Sequence, residues 1–186
     1  TAVFAGGLWL GGQINGVTKV AITAYSNEWF PGPIGPGGVP ADPTNPIHRV
    51  YNLQRVYADA TQRDADLAAY NSGAVPYGAD PVTVQSDGSL NILGDQQTWA
   101  VYNEADSVLK ATSEEDAGHT GPMGVEVQQT IFAFNRQGAL GQTVFMRFRM
   151  INKGGNQIDS MFVSVWSDPD LGEFTDDLVG CDVSRS

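Results

Sequence analysis

The chain has 186 residues, of which 41% are hydrophobic and 10% aromatic, and its formal net charge is −11. This composition argues against an intrinsically disordered chain and predicts one domain with a substantial core, while every apolar run is too short to span a membrane. The acidic balance argues against binding to nucleic acid, which requires a concentrated basic surface, and makes cations the more natural partners.

Two β-rich runs, residues 3–10 and 17–25, begin the chain. They are separated by Asn15 and Gly16, a pair that tolerates positive φ and is a strong short-range turn signal between strands. The sequence therefore predicts a β-hairpin at the N-terminus.

The middle of the chain alternates loops with short predicted elements. Residues 30–46 hold six of the ten prolines, and because proline removes a backbone donor and fixes φ, this segment is predicted to be a long surface loop. Residues 48–57 are predicted to be an extended edge segment, and the Ala-rich residues 58–70 one short helix. Residues 98–102 and 125–134 have the alternation of β-strands.

Residues 144–177 combine strand, turn and charge signals over the longest run. Residues 144–150 and 159–166 alternate in polarity around Gly154 and Gly155, which predicts an antiparallel hairpin with one apolar face buried in the core. The predicted cross-strand pairs of that face are Val144 with Val165, Met146 with Val163 and Phe148 with Met161. Together with the other elements, this pattern predicts an all-β fold, an antiparallel β-sandwich with one short helix and long Gly/Pro-rich loops.

Five carboxylates lie within ten residues after the predicted hairpin: Asp168, Asp170, Glu173, Asp176 and Asp177. Oxygen ligands crowded into one loop repel one another without a cation, and Ca²⁺ accepts about six to eight of them in flexible geometry. We therefore predict a Ca²⁺ site with Asp168, Asp170, Asp176 and Asp177 as its ligands. The segment is not an EF-hand loop, because Gly172 occupies the fifth position. The alternative is a solvated acidic loop.

Catalytic chemistry has little support in the sequence. The two histidines lie in no recognised motif, and Cys181, the only cysteine, has no disulfide partner within this chain. Glycoside hydrolysis would pair Glu104, Glu126 or Glu173 with an aspartate, and a sugar platform would use Trp9, Trp29, Trp99 or Trp166. Nothing in the sequence selects such a pair, so we predict that the chain is not an enzyme.

Four segments carry a resemblance to a family of secreted proteins: residues 3–12 (VFAGGLWLGG), 93–103 (LGDQQTWAVYN), 124–134 (GVEVQQTIFAF) and 152–182 with its WSDPDLG and DDLVGCD runs. They resemble the N-terminal region of large secreted multidomain surface proteins of Bacteroidetes and related bacteria, exported by the type IX system. The resemblance implies a noncatalytic β-rich module that is secreted or lies at the cell surface. It also implies that Cys181 has lost a partner cysteine and that the fold is incomplete.

Residues 1–186 are thus predicted to be a single β-rich domain and a fragment of a larger chain. We expect an extracellular structural or adhesive module, part of a surface assembly or filament, that Ca²⁺ stabilises and that binds other protein chains through exposed strand edges. The alternative is a carbohydrate-binding or glycan-processing domain with a glycan as ligand. A cleft lined by an aromatic side chain and two facing carboxylates would favour the alternative.

Overall fold

The computed structural model describes residues 3–22, 24–25, 28–112, 120–170, 172–173, 175–176, 178, 180 and 183–185. In these ranges the strands are β1 (Ala5–Ile14), β2 (Val17–Ala21), β3 (Phe30–Pro31), β4 (Tyr51–Gln54), β5 (Gln96–Asn103), β6 (Val125–Ala133), β7 (Val144–Asn152) and β8 (Asp159–Asp168). The helices are α1 (Ala60–Gly73) and α2 (Ser107–Ala111), with short 3-10 turns at Pro36–Gly38, Val75–Tyr77, Ala139–Gln142 and Val183–Arg185. None of the helices in the described ranges is long and apolar enough to cross a membrane.

The strands form two antiparallel sheets. The three-stranded sheet has the order β2-β1-β8. In the five-stranded sheet, β3 and β4 both pair with β5, and β6 and β7 follow. This arrangement confirms the predicted all-β fold with two sheets packed as a sandwich. The structure adds α2, a five-residue helix, to the one helix that the sequence predicts.

The N-terminal hairpin is confirmed, with β1 and β2 paired around the predicted turn. Asn15 and Gly16 have φ values of 52° and 77°, the positive values that a two-residue hairpin turn requires. The second strand is shorter than the predicted run of residues 17–25, since β2 ends at Ala21.

Two hydrophobic cores lie on the two faces of the five-stranded sheet. The inter-sheet core is made of Leu8, Leu10, Ile14, Ala21, Met123, Val125 and Val127. The second core packs the opposite face of the five-stranded sheet against α1 and the loops around it. Its buried residues are Tyr51, Leu53, Tyr70, Ala74, Ala79, Val82, Leu90, Ile92, Trp99 and Val101. The molecule is therefore a sandwich whose larger sheet carries an additional layer.

Helix α1 is positioned by its cap and by one glycine. The Asp59 carboxylate accepts a hydrogen bond from the Thr61 amide at 2.8 Å, which satisfies a donor at the helix N-terminus. At the other end, a Cβ on Gly73 would lie 1.9 Å from the Tyr51 hydroxyl oxygen. The glycine therefore allows α1 to lie close to β4.

The predicted pairing of β7 with β8 is wrong, although both strands form. β7 pairs with β6, placing Phe148 opposite Gln129, and β8 pairs with β1, placing Val165 opposite Leu8. The Gly154 and Gly155 segment therefore connects the two sheets instead of closing a hairpin. Alternating apolar residues are required equally by strands that lie side by side and by strands that face each other across a sandwich, so the pattern did not distinguish the two.

Close backbone packing explains why the chain crosses between the sheets at this point. A Cβ on Gly154 would lie 2.3 Å from the Met123 carbonyl oxygen, and one on Gly124 would lie 2.3 Å from the Gly154 Cα. The Lys153 amide donates to the Gly124 carbonyl at 2.8 Å. The glycines thus allow the connection to lie directly against the segment that enters β6.

The predicted common burial of the six apolar residues of β7 and β8 is also wrong. Five of them, Val144, Met146, Met161, Val163 and Val165, are between 37% and 59% exposed, and Phe148 is half-buried. The reason is that β7 and β8 are the outermost strands of their sheets, and they lie on the same side of the sandwich, since only six residues join them and both line one cleft. Nothing in the described part of the chain covers that side completely.

Candidate interaction surface and acidic segment

One side of the sandwich is open, and we call it the open side, defined by β7 and β8. Val163 and Val165 lie opposite Leu10 and Leu8 in the sheet register, so they face the gap between the sheets with these two core residues. On β7, Met146 lies opposite Ile131 and belongs to the gap-facing set of that sheet. The open side therefore presents interior-facing apolar side chains to solvent.

An apolar cleft of about 620 Å³ extends inward from the open side. Its lining includes Leu8, Trp29, Tyr102, Gln129, Met146, Phe148 and Val165. Two polar side chains of the lining are hydrogen-bonded within the protein: the Trp29 Nε1–H donates to the Leu8 carbonyl at 3.0 Å, and the Tyr102 hydroxyl donates to Gln129 Oε1 at 2.7 Å. Burial raises the pKa of Tyr102, which keeps the phenol neutral. The cleft suits apolar side chains of a partner better than a charged substrate.

Three of the four predicted calcium ligands lie within the described residues. Asp168 is the last residue of β8, and its carboxylate accepts a hydrogen bond from the Tyr25 hydroxyl. Asp170 is half-buried, Asp176 is exposed, and Asp177 lies outside the described residues. In the ranges that the structure describes, no three His, Cys, Asp or Glu side chains are grouped to hold a metal ion. The calcium site remains a prediction.

Two carboxylates considered for glycoside hydrolysis are buried and hydrogen-bonded. Glu104 accepts hydrogen bonds from the amides of Met123 and Val125 at 2.8–2.9 Å and lies 2.9 Å from Lys110 Nζ. Glu126 accepts from the Ile34 amide at 2.7 Å. Both glutamates are 0% exposed, so neither carboxylate faces a cleft that a glycan could enter.

Lys110 lies at the centre of a buried charge cluster that sequence reasoning missed. Its Nζ donates to the Val20 carbonyl at 2.6 Å and to Glu104, and it lies 3.8 Å from the Glu28 carboxylate. Glu28 in turn accepts from the Ile22 amide at 2.6 Å. The cluster joins α2, the end of β2 and the segment after β5, so it fixes one end of the sandwich.

The second buried glutamate anchors the Gly/Pro-rich loop. Lys153 Nζ lies 2.5 Å from Glu126 and donates to the Ile34 carbonyl at 3.0 Å. Gln128 adds a hydrogen bond to Glu126 at 3.0 Å. These contacts pair the polar groups of the irregular loop around Ile34 with polar side chains of β6 and with Lys153. The pairing explains how Glu126 and Gln128 can be buried although both are polar.

The four tryptophans separate into different environments. Trp99 is buried in the second core, and Trp29 packs against the inter-sheet core. Trp9 and Trp166 stack on one another with ring centroids 5.8 Å apart, and Tyr25 meets Trp166 edge-on at 5.7 Å. This cluster is the part of the predicted sugar platform that the structure brings together, and its Tyr25 hydroxyl donates to the Asp168 carboxylate.

Two arginines line the outer surface of β7. Arg147 forms an exposed ion pair with Asp80 at 2.9 Å and donates to the Thr130 hydroxyl at 3.3 Å, while Arg149 donates to Gln128 at 3.4 Å. They give this edge strand a positive charge in a chain whose net charge is −11.

Comparison of the chain with protein-family models, curated proteins and solved structures yields no match.

Proposed function

We propose that this chain is a noncatalytic structural or adhesive module, secreted or displayed at a cell surface, that accepts a β-strand from another polypeptide at its open side. The observation that carries the proposal is the position of β7 and β8. Among the described residues they are the outermost strands of two different sheets, they border the same cleft, and apolar side chains are exposed along both. An unpaired edge offers a row of backbone donors and acceptors that an added strand satisfies.

The two edges have some of the features by which proteins block unwanted pairing, namely the arginines of β7 and an irregularity in β8 near Ser160, whose φ is 48°, but they lack others. Neither β7 nor β8 contains proline or lysine, and their gap-facing positions hold valine, methionine and phenylalanine in place of inward-pointing charges. Phe162, on the opposite face of β8, is 76% exposed. An isolated sandwich with such edges is prone to association, which supports an assembly role as part of a larger protein or a filament.

The buried glutamates support the noncatalytic part of the proposal. Both carboxylates accept hydrogen bonds from backbone amides and a lysine, and Glu126 also accepts one from Gln128, which is consistent with a structural role. Glycan binding is the alternative, supported by the stacked Trp9 and Trp166 with Tyr25 against Trp166. Secretion rests on the resemblance of the four segments to the type IX family.

A lysine placed on the open side should prevent association of the chain. Val163→Lys puts a charge in the gap between the sheets, where an added strand would desolvate it. We expect the parent to show concentration-dependent association in sedimentation velocity and the variant to remain monomeric with an unchanged far-ultraviolet circular dichroism spectrum.

The matched control is Val17→Lys on β2. Val17 is 58% exposed on the opposite edge of the same sheet, so this variant should associate like the parent. A parent that stays monomeric at all concentrations, or equal association of both lysine variants, would contradict the proposal.

Calcium binding by the acidic segment is a further part of the proposal, with Asp168, Asp170, Asp176 and Asp177 as ligands. An ion bound only by the folded chain should stabilise it by about 2.7 kcal/mol at a hundredfold excess over its dissociation constant. The melting temperature should therefore fall on chelation, and the calcium-dependent difference should disappear in Asp170→Asn. The control is Asp64→Asn on the exposed surface of α1. Melting that is indifferent to both calcium and chelator would reduce the segment to a solvated acidic loop.

A further inference from the structure

Of the two outermost strands, β7 has the more regular edge. It pairs with β6 without a shift in register from Val144 to Asn152. The pairing of β8 with β1 contains a register shift, and Ser160 of β8 has a φ of 48°. A regular edge is the better template for an added strand, because its backbone donors and acceptors are evenly aligned. We therefore expect a partner strand to pair with β7 in preference to β8.

The backbone hydrogen bonds identify the residues of β7 that face the free edge. In continuation of the β6–β7 register, the Lys153 amide donates to the Gly124 carbonyl. The bonds of an antiparallel pair alternate along each strand, so the odd-numbered residues of β7 bond to β6. The backbone groups of the even-numbered residues from Val144 to Met150 point away from β6. Among the described residues, no strand pairs with them on that side.

The outer face of β7, which is turned away from the gap between the sheets, carries a cation that has no ion pair. Arg147 is paired with Asp80 at 2.9 Å. Arg149 is exposed, and its one hydrogen bond to a described residue reaches Gln128 Oε1 at 3.4 Å. An arginine at this position repels a basic strand and favours a carboxylate placed directly opposite it.

The position opposite Arg149 is suited to a close side-chain contact. Since Arg149 bonds through its backbone to β6, it would form a non-hydrogen-bonded pair with an antiparallel strand on its free side. Facing side chains are closest in such pairs, with about 4.5 Å between Cα atoms. Arg149 also borders two cavities of about 300 Å³ and 400 Å³ on the outer face, so a facing carboxylate has room beside it.

The next residue of an added strand would face the gap between the sheets. The position opposite Phe148 lies beside the apolar cleft that Trp29 and Met146 also line. An apolar side chain there would be buried without leaving a polar group unpaired. The strand that fits β7 therefore has apolar residues at alternate positions, with an acidic residue between two of them opposite Arg149.

We propose that the open side takes an acidic strand of alternating polarity from another polypeptide, which pairs antiparallel with β7 and places a carboxylate opposite Arg149. This inference rests on the proposed function and names the chemistry of the partner. Antiparallel pairing continues the pattern of the described strand pairs, all of which are antiparallel. Arg149 selects the partner, and the free backbone groups and apolar side chains of β7 supply the other contacts.

Two peptides of nine residues, the length of β7, test this selection. In both, valine alternates with threonine from a threonine at each end, and the central residue is glutamate in one peptide and lysine in the other. Their fluorescence anisotropy is measured with monomeric protein in physiological salt, which screens the net charge of the chain beyond about 8 Å. The glutamate peptide should bind about three- to tenfold more tightly, because it replaces a like-charge pair by an opposite-charge pair.

A charge reversal and amide hydrogen exchange locate the binding site. Arg149→Glu should reverse the order of the two peptides. The matched control is Arg136→Glu, which makes the same change in net charge at an exposed position outside β7 and should keep the order. In the complex of the parent with the glutamate peptide, the amides of Met146 and Phe148 should exchange more slowly, because they gain acceptors. Circular dichroism of each variant confirms that it is folded before it is compared.

The outcomes separate this inference from the proposed function. Equal binding of the two peptides, tighter binding of the lysine peptide, or an order that Arg149→Glu leaves unchanged would overturn selection by Arg149, while strand acceptance would stand. Protection of β8 without protection of β7 would overturn pairing with β7 and would still support the open side as the acceptor. If neither peptide binds, the inference is wrong, and Val163→Lys tests the proposed function independently.

Discussion

Replacing Lys110 by Met should lower the free energy of unfolding by about 3–5 kcal/mol, because removing one partner of a buried ion pair leaves an uncompensated charge. The Lys110 side chain is 1% exposed, and the carboxylates of Glu104 and Glu28 lie 2.9 Å and 3.8 Å from its Nζ. Methionine keeps most of the volume of the side chain and removes the cation. Urea denaturation followed by circular dichroism measures the change.

A double variant separates charge from packing in this cluster. Adding Glu104→Gln to Lys110→Met removes one of the carboxylates that lost its cation, so it should recover part of the lost stability. The control is Asp80→Asn, which breaks an ion pair whose side chains are 53% and 77% exposed and should cost less than about 1 kcal/mol. Equal costs for Lys110→Met and Asp80→Asn would show that the cluster does not stabilise the fold.

Truncating Leu10 to Ala should cost about 2–5 kcal/mol, since the change removes a buried side chain and leaves a cavity. Leu10 is 1% exposed and lies on β1, in the inter-sheet core. The matched control is Phe162→Ala on β8, which removes a larger side chain that is 76% exposed and should change stability by less than about 0.5 kcal/mol in the monomer.

This comparison tests where the core lies. The comparison therefore includes Val163→Ala: in the central hairpin that the sequence predicts, Val163 would be buried and its truncation costly, whereas in the structure Val163 is 48% exposed. The structure places β1 inside and β8 at the edge. A larger loss of stability for Phe162→Ala than for Leu10→Ala would contradict that placement. The measurement is made at a concentration low enough to keep the protein monomeric.

The strands and turns were predictable where the signal is local. The alternation of residues 125–134 predicts β6 to within a residue, and Asn15 and Gly16 predict the first hairpin because the turn itself requires positive φ. The partner of a strand is not a local property. β7 and β8 alternate as an adjacent pair would, yet each pairs with a strand from elsewhere in the chain, and close packing at Gly154 and Gly124 directs the crossing.

The buried charges could not be predicted for the same reason. Glu28 and Lys110 are far apart in sequence, and each of them alone resembles an ordinary solvated residue. Their burial follows from where α2 places the lysine and from the backbone amides that Glu104 satisfies. The one available signal was the position of Glu104 directly after β5, where Asn103 and Glu104 continue a buried strand with polar residues.

The acidic segment shows the limit of reading a site from composition. Five carboxylates in ten residues indicate a cation, but the geometry of a site depends on how the loop folds. In the structure the Asp168 carboxylate, at the end of β8, accepts a hydrogen bond from the Tyr25 hydroxyl. The spacing of the carboxylates in the sequence does not predict this interaction. The open side, in contrast, is a consequence of the strand topology. It is formed where β7 and β8, the outermost strands of the two sheets, lie next to the same gap.

Amide hydrogen exchange at low and high protein concentration tests the strand-accepting role most directly. If association occurs at the open side, the amides of β7 and β8 should exchange more slowly as the concentration rises, because their free backbone groups gain partners. The amides of β2, at the opposite edge, should be unaffected. Protection that appears in β2, or no added protection in β7 and β8 while the protein associates, would contradict the proposed role of the open side.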